Sequence, residues 1–249
     1  MKNMEKIKIL NNPDSLHPFL VVEKSTGVPS APLFEDDFSA LTLAEKEFPE
    51  IKNVHGKKEI EHGLVHRIDT ETSGLVLIAL TQDFYDFMIQ EQAENRFEKS
   101  YRAEVDFAPG IYEKLAGFPQ PPFSIEEIDS AVKNQKVLEA WSFFRKFGKG
   151  GKEVRPVLEN GGKAAKKKSS GKLYQTQIKF LDETHAEAKI TQGFRHQVRC
   201  HLAWIGFPVH GDEIYNPECR EARNHKMKFE AFRIKFRNPI TNEDEVFEI

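Results

Sequence analysis

The chain has 249 residues, of which 39% are apolar, including 20 phenylalanines, and this is enough to build a substantial core in one large domain or two small ones. Its only cysteines, Cys200 and Cys219, exclude a disulfide framework and a four-cysteine metal site. The formal net charge of −3 argues weakly against a nucleic-acid partner until the charges are located along the chain.

The first residues do not show the pattern of a secretion signal. Its first ten residues include four charged side chains, Lys2, Glu5, Lys6 and Lys8, and contain no apolar stretch of signal-peptide length. The apolar run at 75–80 is far too short to span a bilayer. We therefore expect a cytoplasmic protein without a membrane partner.

The first predicted elements are a strand and a helix. Phe19–Lys24 is apolar and leads into a turn that contains Gly27 and Pro29, which is typical of a buried strand. Residues 37–48 place apolar side chains at helical spacing after acidic, cap-forming residues. This pattern predicts a surface helix that ends near Pro49.

A polar loop at His66–Gly74 precedes the apolar run Leu75–Leu80, which predicts a buried strand. Loops fixed by a rigid sheet often carry reactive side chains, and this loop contains Asp69. We interpret Asp69 as the centre of a site. Taken from spacing alone, the same residues also fit a simple polar turn beside a strand.

After this strand, Thr81 can cap a helix that runs to about Asn95. Residues 97–107 then alternate, and Tyr101 falls on the apolar face of the predicted strand. Without further information, Tyr101 fits a core tyrosine whose hydroxyl lies at the rim.

The middle of the chain, about 109–172, is rich in proline and glycine, so we expect an irregular elaboration there. Within it, Val137–Phe147 fits either a strand or a short helix. From 143 to 172 there are ten basic and two acidic residues, a net charge of +8, which leaves −11 for the rest of the chain. This tract includes Lys166, Lys167 and Lys168, and it fits a phosphate contact as well as a solvated loop.

Two further patterns follow. Leu173–Leu181 and His185–Thr191 alternate, which predicts a hairpin that turns at Asp182 and Glu183. Residues 192–208 then predict a helix that ends at Gly206 before Pro208, with Arg195 and Arg199 on one face.

Four side chains, His196, His201, His210 and Cys219, could in principle gather round zinc. The sequence lacks the paired Cys-x-x-Cys or His-Glu-x-x-His spacing of known metal sites. We therefore expect no metal.

Three stretches together resemble one family. His-Arg-Ile-Asp-Thr-Glu-Thr-Ser-Gly at 66–74 is similar to the HRLDxxTSG signature of the RluA-type pseudouridine synthases. Lys99–Val105 is similar to that family's Lys-x-Tyr-x-Ala-x-Val strand, and residues 192–215 resemble its TGRxHQIRxHL and LGxPIxGDxxY patterns. The resemblance covers most of the chain outside the middle.

The sequence departs from the family at several positions. Ser25 replaces the proline of the family's Lys-Pro-x-Gly motif, while Lys24 and Gly27 match it. The first arginine of TGRxHQIRxHL falls on Phe194, and Arg195 follows it. A displacement by one residue rotates a helical side chain by about 100°, so Arg195 need not inherit the role of that arginine.

The resemblance implies which residues would form the active site and contact RNA. Asp69 would be the catalytic carboxylate, Arg199 would keep it ionised and aimed, and Tyr101 would stack on the pyrimidine and handle a proton. Arg67 would fill the space left by the flipped uridine, although a phosphate contact or a structural salt bridge also fits. Further RNA contacts are expected from five residues: Arg195, His196, Lys166, Lys167 and Lys168.

The resemblance also implies an α+β pseudouridine synthase fold, with a central mixed, mainly antiparallel sheet, flanking helices and an active-site cleft. We expect residues 1–249 to form a single catalytic domain and a monomer, without an appended amino-terminal RNA-binding domain. The expected partner is ribosomal or transfer RNA, and the chemistry needs no cofactor.

Two other functions compete with this interpretation. The altered positions at Ser25 and Phe194, together with the basic middle, would suit a non-catalytic RNA-binding or RNA-folding module on the same scaffold. A carboxylate-dependent hydrolase that uses Asp69 with His66 and His196 is the second alternative. The joint presence of Asp69, Tyr101 and Arg199 favours the isomerase.

Overall fold

The computed structural model describes residues 6–35, 37–222 and 226–249. The prediction on the first ten residues falls partly on residues 1–5, which lie outside the described residues. The chain divides into two compact units, with boundaries at Lys99/Ser100 and Phe229/Glu230. The first unit combines the two ends of the chain, and the second is the continuous stretch between them.

The described residues form ten strands and seven α-helices. In chain order the strands are β1 (Lys8–Ile9), β2 (Phe19–Lys24), β3 (Ser73–Ala79), β4 (Glu98–Glu104), β5 (Val137–Phe147), β6 (Glu153–Val157), β7 (Tyr174–Phe180), β8 (His185–Ile190), β9 (Phe229–Arg237) and β10 (Asp244–Glu248). The helices are α1 (Ala40–Glu47), α2 (Gln82–Ala93), α3 (Ile111–Lys114), α4 (Ile125–Asn134), α5 (Lys163–Lys167), α6 (Gln197–Trp204) and α7 (Pro217–Ala222).

In the first unit, β1, β2 and β3 pair antiparallel, β9 pairs parallel with β3, and β10 pairs antiparallel with β9. Helices α1 and α2 begin at side-chain caps. Ser39 Oγ accepts the Thr42 amide, and Thr81 Oγ1 accepts the Phe84 amide. The core of this unit joins apolar side chains of β2, β3, α2 and β9, among them Phe19, Leu77, Phe84, Met88 and Phe236.

Gly74, the last residue of the polar loop, lies where β3 meets β9. Its φ is +117°, and an added Cβ would lie 2.3 Å from the Ala231 carbonyl oxygen. Only glycine accommodates both the backbone conformation and the close approach of the two strands. The glycine of the HRIDTETSG loop is therefore required by strand pairing.

We expect Gly74→Ala to lower the free energy of unfolding by about 2 kcal/mol or more, because the clash meets backbone and cannot relax through a side chain. Urea unfolding followed by circular dichroism measures this. Gly193→Ala is the matched control, because an added Cβ there meets nothing within 4 Å. Equal free energies of unfolding for the two variants would show that β3 and β9 can move apart at Gly74 without loss of stability.

In the second unit, β4 lies beside β8, and β8, β7, β5 and β6 follow in that order with antiparallel pairing from β8 onward. The predicted hairpin is confirmed as β7 and β8. Asp182 Oδ1 accepts the Thr184 and His185 amides at 2.7 and 2.8 Å, which fixes the turn.

Helix α6 contributes buried side chains to the core of the second unit. This core includes Phe144, Val154, Cys200, Ala203 and Tyr215. Helix α6 begins at Gln197, later than predicted, because His196 adopts a left-handed conformation with φ 55°. Arg195 therefore precedes the helix, and the prediction that Arg195 and Arg199 share a helical face was wrong.

The segment 109–172 is far more regular than predicted. It contains α3, α4, β5, β6 and α5, and the ambiguous stretch Val137–Phe147 is the long strand β5. A capping box formed by Ser124 and Glu127 starts α4, which buries Ile128 and Ala131. The prolines and glycines that suggested irregular structure fall mostly in connections between these elements.

The structure confirms the α+β class with mainly antiparallel pairing. Among the strand pairs whose direction is given above, β3 and β9 run parallel and the others run antiparallel. Whether the two units make up the single catalytic domain expected from the sequence stays a prediction, as do the cleft and the monomeric state. Among the described residues, no helix has the length and apolar character needed to cross a bilayer.

Candidate active site

Asp69 lies, partly exposed, on a loop whose backbone is held in place on both sides. Ser30 Oγ donates to the Ile68 carbonyl at 2.7 Å and accepts the Ile68 amide at 3.1 Å. The Thr72 amide donates to the Asp69 carbonyl at 3.0 Å, which closes a tight turn directly after the carboxylate. The loop therefore presents Asp69 from a fixed backbone.

A buried ammonium lies in the same unit. Lys24 is 1% exposed, and its Nζ donates to the carbonyls of Ser25, Val28 and Thr70 at 3.1, 2.7 and 3.1 Å. Burial lowers the pKa of Lys24 to about 8, while the negative charges of Asp69 and Glu71 oppose this shift. The attraction is mutual, so Lys24 also favours the ionised form of Asp69. Sequence reasoning gave Lys24 no role, although its match to the family's Lys-Pro-x-Gly motif was a signal.

Arg67, two residues before Asp69, has an exposed side chain that pairs with a buried carboxylate. Its Nη1 donates to Glu61 Oε1 at 2.8 Å, and Lys58 Nζ approaches the same oxygen at 3.0 Å. The structure thus contains the salt bridge that we considered for Arg67. A contact of Arg67 with RNA stays a prediction.

Behind the loop, His66 and Lys99 are buried around Phe97. The rings of His66 and Phe97 pack edge to face at 5.0 Å, and Lys99 Nζ lies 4.1 Å from the centre of the Phe97 ring. Burial lowers the pKa of His66 to about 3, and the positive charge of Lys99 adds to the effect. Burial also lowers the pKa of Lys99 to about 7. His66 is therefore neutral at physiological pH and packs in the core.

Lys99 predicts a stability that depends on pH. Its folded pKa, about 7, lies below the ordinary 10.5, so between these values the unfolded chain binds a proton that the folded chain lacks. The free energy of unfolding therefore rises from pH 7 to pH 10, by up to about 1.4 kcal/mol per pH unit from this group.

We expect Lys99→Met to stabilise the protein most near pH 7 and to remove that slope. Urea unfolding at several pH values tests this. Lys52→Met, at an exposed lysine of the same unit, should leave the slope unchanged. An unaltered slope in Lys99→Met would mean that Lys99 keeps its proton throughout.

Tyr101 of β4 is 7% exposed and belongs to the second unit. Its ring stacks on Phe229 with centroids 5.1 Å apart and an interplanar angle of 9°. One face of the ring is therefore covered by an aromatic side chain, which fixes its plane. The predicted stacking on a pyrimidine would have to use the opposite face.

Arg199 of α6 is held by a buried carboxylate of its own unit. Its Nε donates to Asp212 Oδ2 at 2.7 Å and its Nη2 to Asp212 Oδ1 at 2.8 Å, in a two-bond ion pair. The Ile214 and Tyr215 amides donate to the same carboxylate oxygen at 2.8 and 3.2 Å. Asp212 thereby fixes the plane and direction of the guanidinium. Sequence reasoning missed this residue, although the GDxxY pattern contains it.

Tyr215 completes the support of Arg199. The guanidinium carbon lies 5.5 Å from the centre of the Tyr215 ring, and the hydroxyl accepts the Val154 amide at 3.0 Å. His196 Nδ1 lies 3.1 Å from the same hydroxyl and is buried. This environment favours a structural role for His196, and its predicted RNA contact is untested.

The structure explains the departure at Phe194. The partly buried Phe194 ring stacks on Phe144 at 5.1 Å with an interplanar angle of 7° and packs against the apolar core of the second unit. Arg195 is exposed instead, and its Nη1 donates to the Gly151 carbonyl at 3.4 Å. Arg195 therefore does not occupy the position of Phe194.

The three lysines predicted to contact RNA lie at the end of α5. Lys166, Lys167 and Lys168 are all exposed. The first two lie in the last turn of this five-residue helix, and Lys168 is its C-cap. The tract is thus more ordered than the solvated loop considered from the sequence. Its contact with RNA stays a prediction.

The predicted site residues come from both units. Asp69 and Arg67 belong to the first unit, whereas Tyr101, Arg195, His196, Arg199 and the three lysines belong to the second. That Asp69, Tyr101 and Arg199 share one site stays a prediction.

Two of the three histidines considered for zinc, His196 and His201, have hydrogen-bond partners in the core. His201 Nδ1 lies 2.8 Å from Thr176 Oγ1, and its Nε2 lies 2.8 Å from Ser142 Oγ. His196 pairs with the Tyr215 hydroxyl, as described above. The two are hydrogen-bonded parts of the second unit.

Comparisons with known proteins agree on a family. Residues 18–204 match the model of the family described as RNA pseudouridylate synthase. The chain is 27% identical over 237 residues to an RNA pseudouridine synthase of Aquifex aeolicus, covering 92% of this chain and 65% of that protein. It is 29% identical over 192 residues to tRNA pseudouridine synthase C of Vibrio parahaemolyticus, covering 72% and 68% of the two chains.

A solved structure shows the same fold. The human RNA pseudouridylate synthase domain containing 1 aligns with 98% of this chain and 83% of its own, with a TM-score of 0.64 and 20% sequence identity. The family match includes the loop of Asp69, the strand of Tyr101 and the helix of Arg199. The chain belongs to the RluA-type family of RNA pseudouridine synthases.

Proposed function

We propose that the chain isomerises uridine to pseudouridine in transfer or ribosomal RNA, with Asp69 as the catalytic carboxylate. The observation that carries this proposal is the family match over residues 18–204, which contains all three candidate catalytic residues. The reaction breaks the bond between uracil N1 and the ribose, turns the bound base over and rejoins it through carbon 5. It is an isomerisation, and we expect it to require no cofactor.

The reaction needs an ionised carboxylate at the sugar. The Lys24 ammonium favours the charged form of Asp69, and hydrogen bonds at Ile68 and Thr72 fix the loop that carries it. Whether Asp69 attacks a carbon atom or removes a sugar proton, it must be deprotonated. These contacts support the assignment of Asp69.

Arg199 and Tyr101 would complete the site. The two hydrogen bonds that Arg199 donates to Asp212 hold its guanidinium in one plane, so that it could keep a carboxylate ionised and aimed without reorganising. Tyr101, with its ring plane fixed by Phe229, would stack on the base. Both side chains are ordered by neighbours in their own unit.

RNA is the proposed partner. The target uridine must leave its stack to reach the carboxylate, which costs a few kcal/mol and is easiest in loops and bulges. Arg67, exposed two residues before Asp69, is the candidate for the space that the base vacates. The name of the Vibrio relative specifies tRNA, which makes transfer RNA the first substrate to test.

Release of tritium from RNA labelled at carbon 5 of uridine tests the activity, because forming the new carbon bond expels that hydrogen. We expect release from transcripts of transfer RNA or of ribosomal RNA. Mapping pseudouridines in cells with and without the gene then identifies the position. Absence of release from every RNA tested, by protein that still binds RNA, would contradict the proposal.

A second candidate is a non-catalytic RNA-binding module on the same scaffold. Phe194 favours it, because a phenylalanine that packs against the core stands where the family motif has an arginine. Such a module would bind RNA and release no tritium. The two candidates therefore differ in one assay.

The lysines at the end of α5 predict the salt dependence of binding. If Lys166, Lys167 and Lys168 each contact a phosphate of single-stranded RNA, replacing all three by glutamine should weaken binding. The slope of log K against log salt should flatten by up to about two units, at roughly 0.7 per contact. Filter binding over a range of salt concentrations measures it.

The control removes the same charge elsewhere on the second unit. Lys114, Lys133 and Lys136 are also exposed, and changing them to glutamine should leave the slope nearly unchanged. Equal slopes for the two triple variants would mean that the α5 lysines only keep the segment solvated.

A further inference from the structure

Three side chains of the second unit that the proposed reaction does not use converge on one point. Asp106 Oδ1 lies 3.0 Å from His210 Nδ1, and Asp106 Oδ2 lies 3.8 Å from Cys219 Sγ. Ligand atoms of the three residues all lie within 4.8 Å of one another. The cluster opens onto a pocket of about 470 Å³ that Glu183 and Glu218 also line.

The backbone brings these residues together from distant parts of the chain. Val105 pairs with Val209 in an antiparallel bridge, the Asp106 amide donates to the Pro208 carbonyl at 3.0 Å, and the His210 amide donates to the Glu104 carbonyl at 2.8 Å. Asp106 and His210 are thus placed side by side by main-chain hydrogen bonds.

Each of two candidate ligands has a hydrogen bond from a neighbouring amide. Asn216 is buried, and its Nδ2 donates to Asp106 Oδ2 at 2.7 Å. The Gly211 amide donates to Cys219 Sγ at 3.2 Å. Gly211 has φ +78°, and an added Cβ would lie 2.4 Å from the Lys226 carbonyl oxygen, so glycine is required where its amide reaches the sulfur. Supporting hydrogen bonds of this kind orient the ligands of metal ions.

The order of the three groups argues against a nucleophilic cysteine. In a Cys-His-Asp nucleophile the imidazole lies between the thiol and the carboxylate, so that it can take the thiol proton. Here the carboxylate contacts both other groups: its two oxygens lie 3.0 and 3.2 Å from His210 Nδ1, and Oδ2 also lies 3.8 Å from Cys219 Sγ. A neighbouring carboxylate disfavours a thiolate unless a cation lies between them.

We propose that Asp106, His210 and Cys219 bind one zinc ion. Zinc bonds to sulfur at about 2.3 Å and to nitrogen or oxygen at about 2.0–2.2 Å, so neighbouring ligand atoms of a tetrahedral site lie roughly 3.2–3.7 Å apart. The 3.0 and 3.8 Å separations bracket this range, so small side-chain movements complete the site. A thiolate, an imidazole and a carboxylate form a donor set that zinc accepts. Water takes the fourth position from the pocket.

This ion is a structural element of the second unit. It joins the end of β4, which carries Tyr101, to the segment that carries both Asp212 and α7. It takes no part in the isomerisation proposed above. The sequence expectation of no metal was based on local spacing, whereas Asp106 and His210 are 104 residues apart.

Cobalt(II) substitution tests the proposal, because a cobalt–thiolate bond gives an intense near-ultraviolet charge-transfer band. The full chain is treated with a chelator, exchanged into metal-free buffer and titrated with cobalt(II), and zinc is then added in competition. We expect a stoichiometric band that zinc displaces. Cys219→Ser should lose the band. Cys200→Ala, which removes the other buried thiol of the chain, should keep it.

Thermal unfolding gives a second readout with variants that keep the thiol. Zinc at about 100 times its dissociation constant should raise the Tm of the wild-type chain by roughly 5–10 °C. His210→Gln and Asp106→Asn should each lose most of that rise. No charge-transfer band, or a band that survives Cys219→Ser, would overturn the proposal, as would a zinc-induced Tm shift of equal size in all variants.

Discussion

Asp69→Asn is expected to abolish pseudouridine formation, lowering the rate by roughly 10³-fold or more, while RNA binding stays within a factor of about two. The amide nearly matches the carboxylate in shape but can neither attack carbon nor accept a proton at neutral pH. The loop should keep its structure, because its hydrogen bonds to Ser30 and Thr72 use backbone atoms of residues 68 and 69. Single-turnover tritium release at saturating enzyme measures the chemical step.

The matched control is Glu71→Gln. Glu71 is an exposed carboxylate two residues further along the same loop, and its charge also acts on Lys24. A variant that loses this charge should keep nearly full activity if catalysis depends on the carboxylate at residue 69. Comparable losses in both variants would indicate that the loop contributes only its negative charge.

Asp212→Asn is expected to have the largest effect on stability, lowering the free energy of unfolding by about 3–5 kcal/mol. Arg199 and Asp212 are 4% and 1% exposed, so Asn at 212 removes the negative charge that faces the buried guanidinium and both of its charge-assisted hydrogen bonds. Activity should also fall, since the direction of Arg199 depends on this pair. Chemical unfolding and single-turnover kinetics measure the two effects.

A double variant separates stability from catalysis. Arg199→Met combined with Asp212→Leu replaces the buried ion pair by apolar side chains and should recover much of the lost stability. It should remain inactive, because the proposed partner of Asp69 is gone. Recovery of activity together with stability would show that Arg199 acts only through packing.

Apolar patterning was enough to predict several elements. The strand Phe19–Lys24 was predicted with the bounds that the structure shows, and Thr81 was correctly predicted as the cap of α2. The cap depends on contacts between neighbours in sequence, and the strand is recognisable because the residues from Phe19 to Val22 are all apolar and buried. The strand predicted over 97–107 ends earlier, at Glu104, because the chain there pairs with Pro208 and Gly206 through single hydrogen bonds, which leaves Phe107 56% exposed.

Patterning failed where burial comes from distant segments. The exposed face of β5 carries the apolar Val137 and Trp141 as well as Glu139, which obscures the alternation, so its strand character becomes clear only once β6 and β7 pair with it. For the site, motif resemblance predicts Asp69, Tyr101 and Arg199, and their joint role stays a prediction. The resemblance gave no role to Lys24 or Asp212, whose contacts require the folded backbone.

The division of the chain into two units has a consequence for synthesis on the ribosome. Residues 100–229 emerge as one continuous stretch and can fold first, whereas the other unit lacks β9 and β10 until residues 229–248 have been synthesised. At roughly 5–20 residues per second, β3 waits on the order of ten seconds for its partner. During that time its apolar edge needs protection, so nascent chains stalled before residue 230 should recruit chaperones.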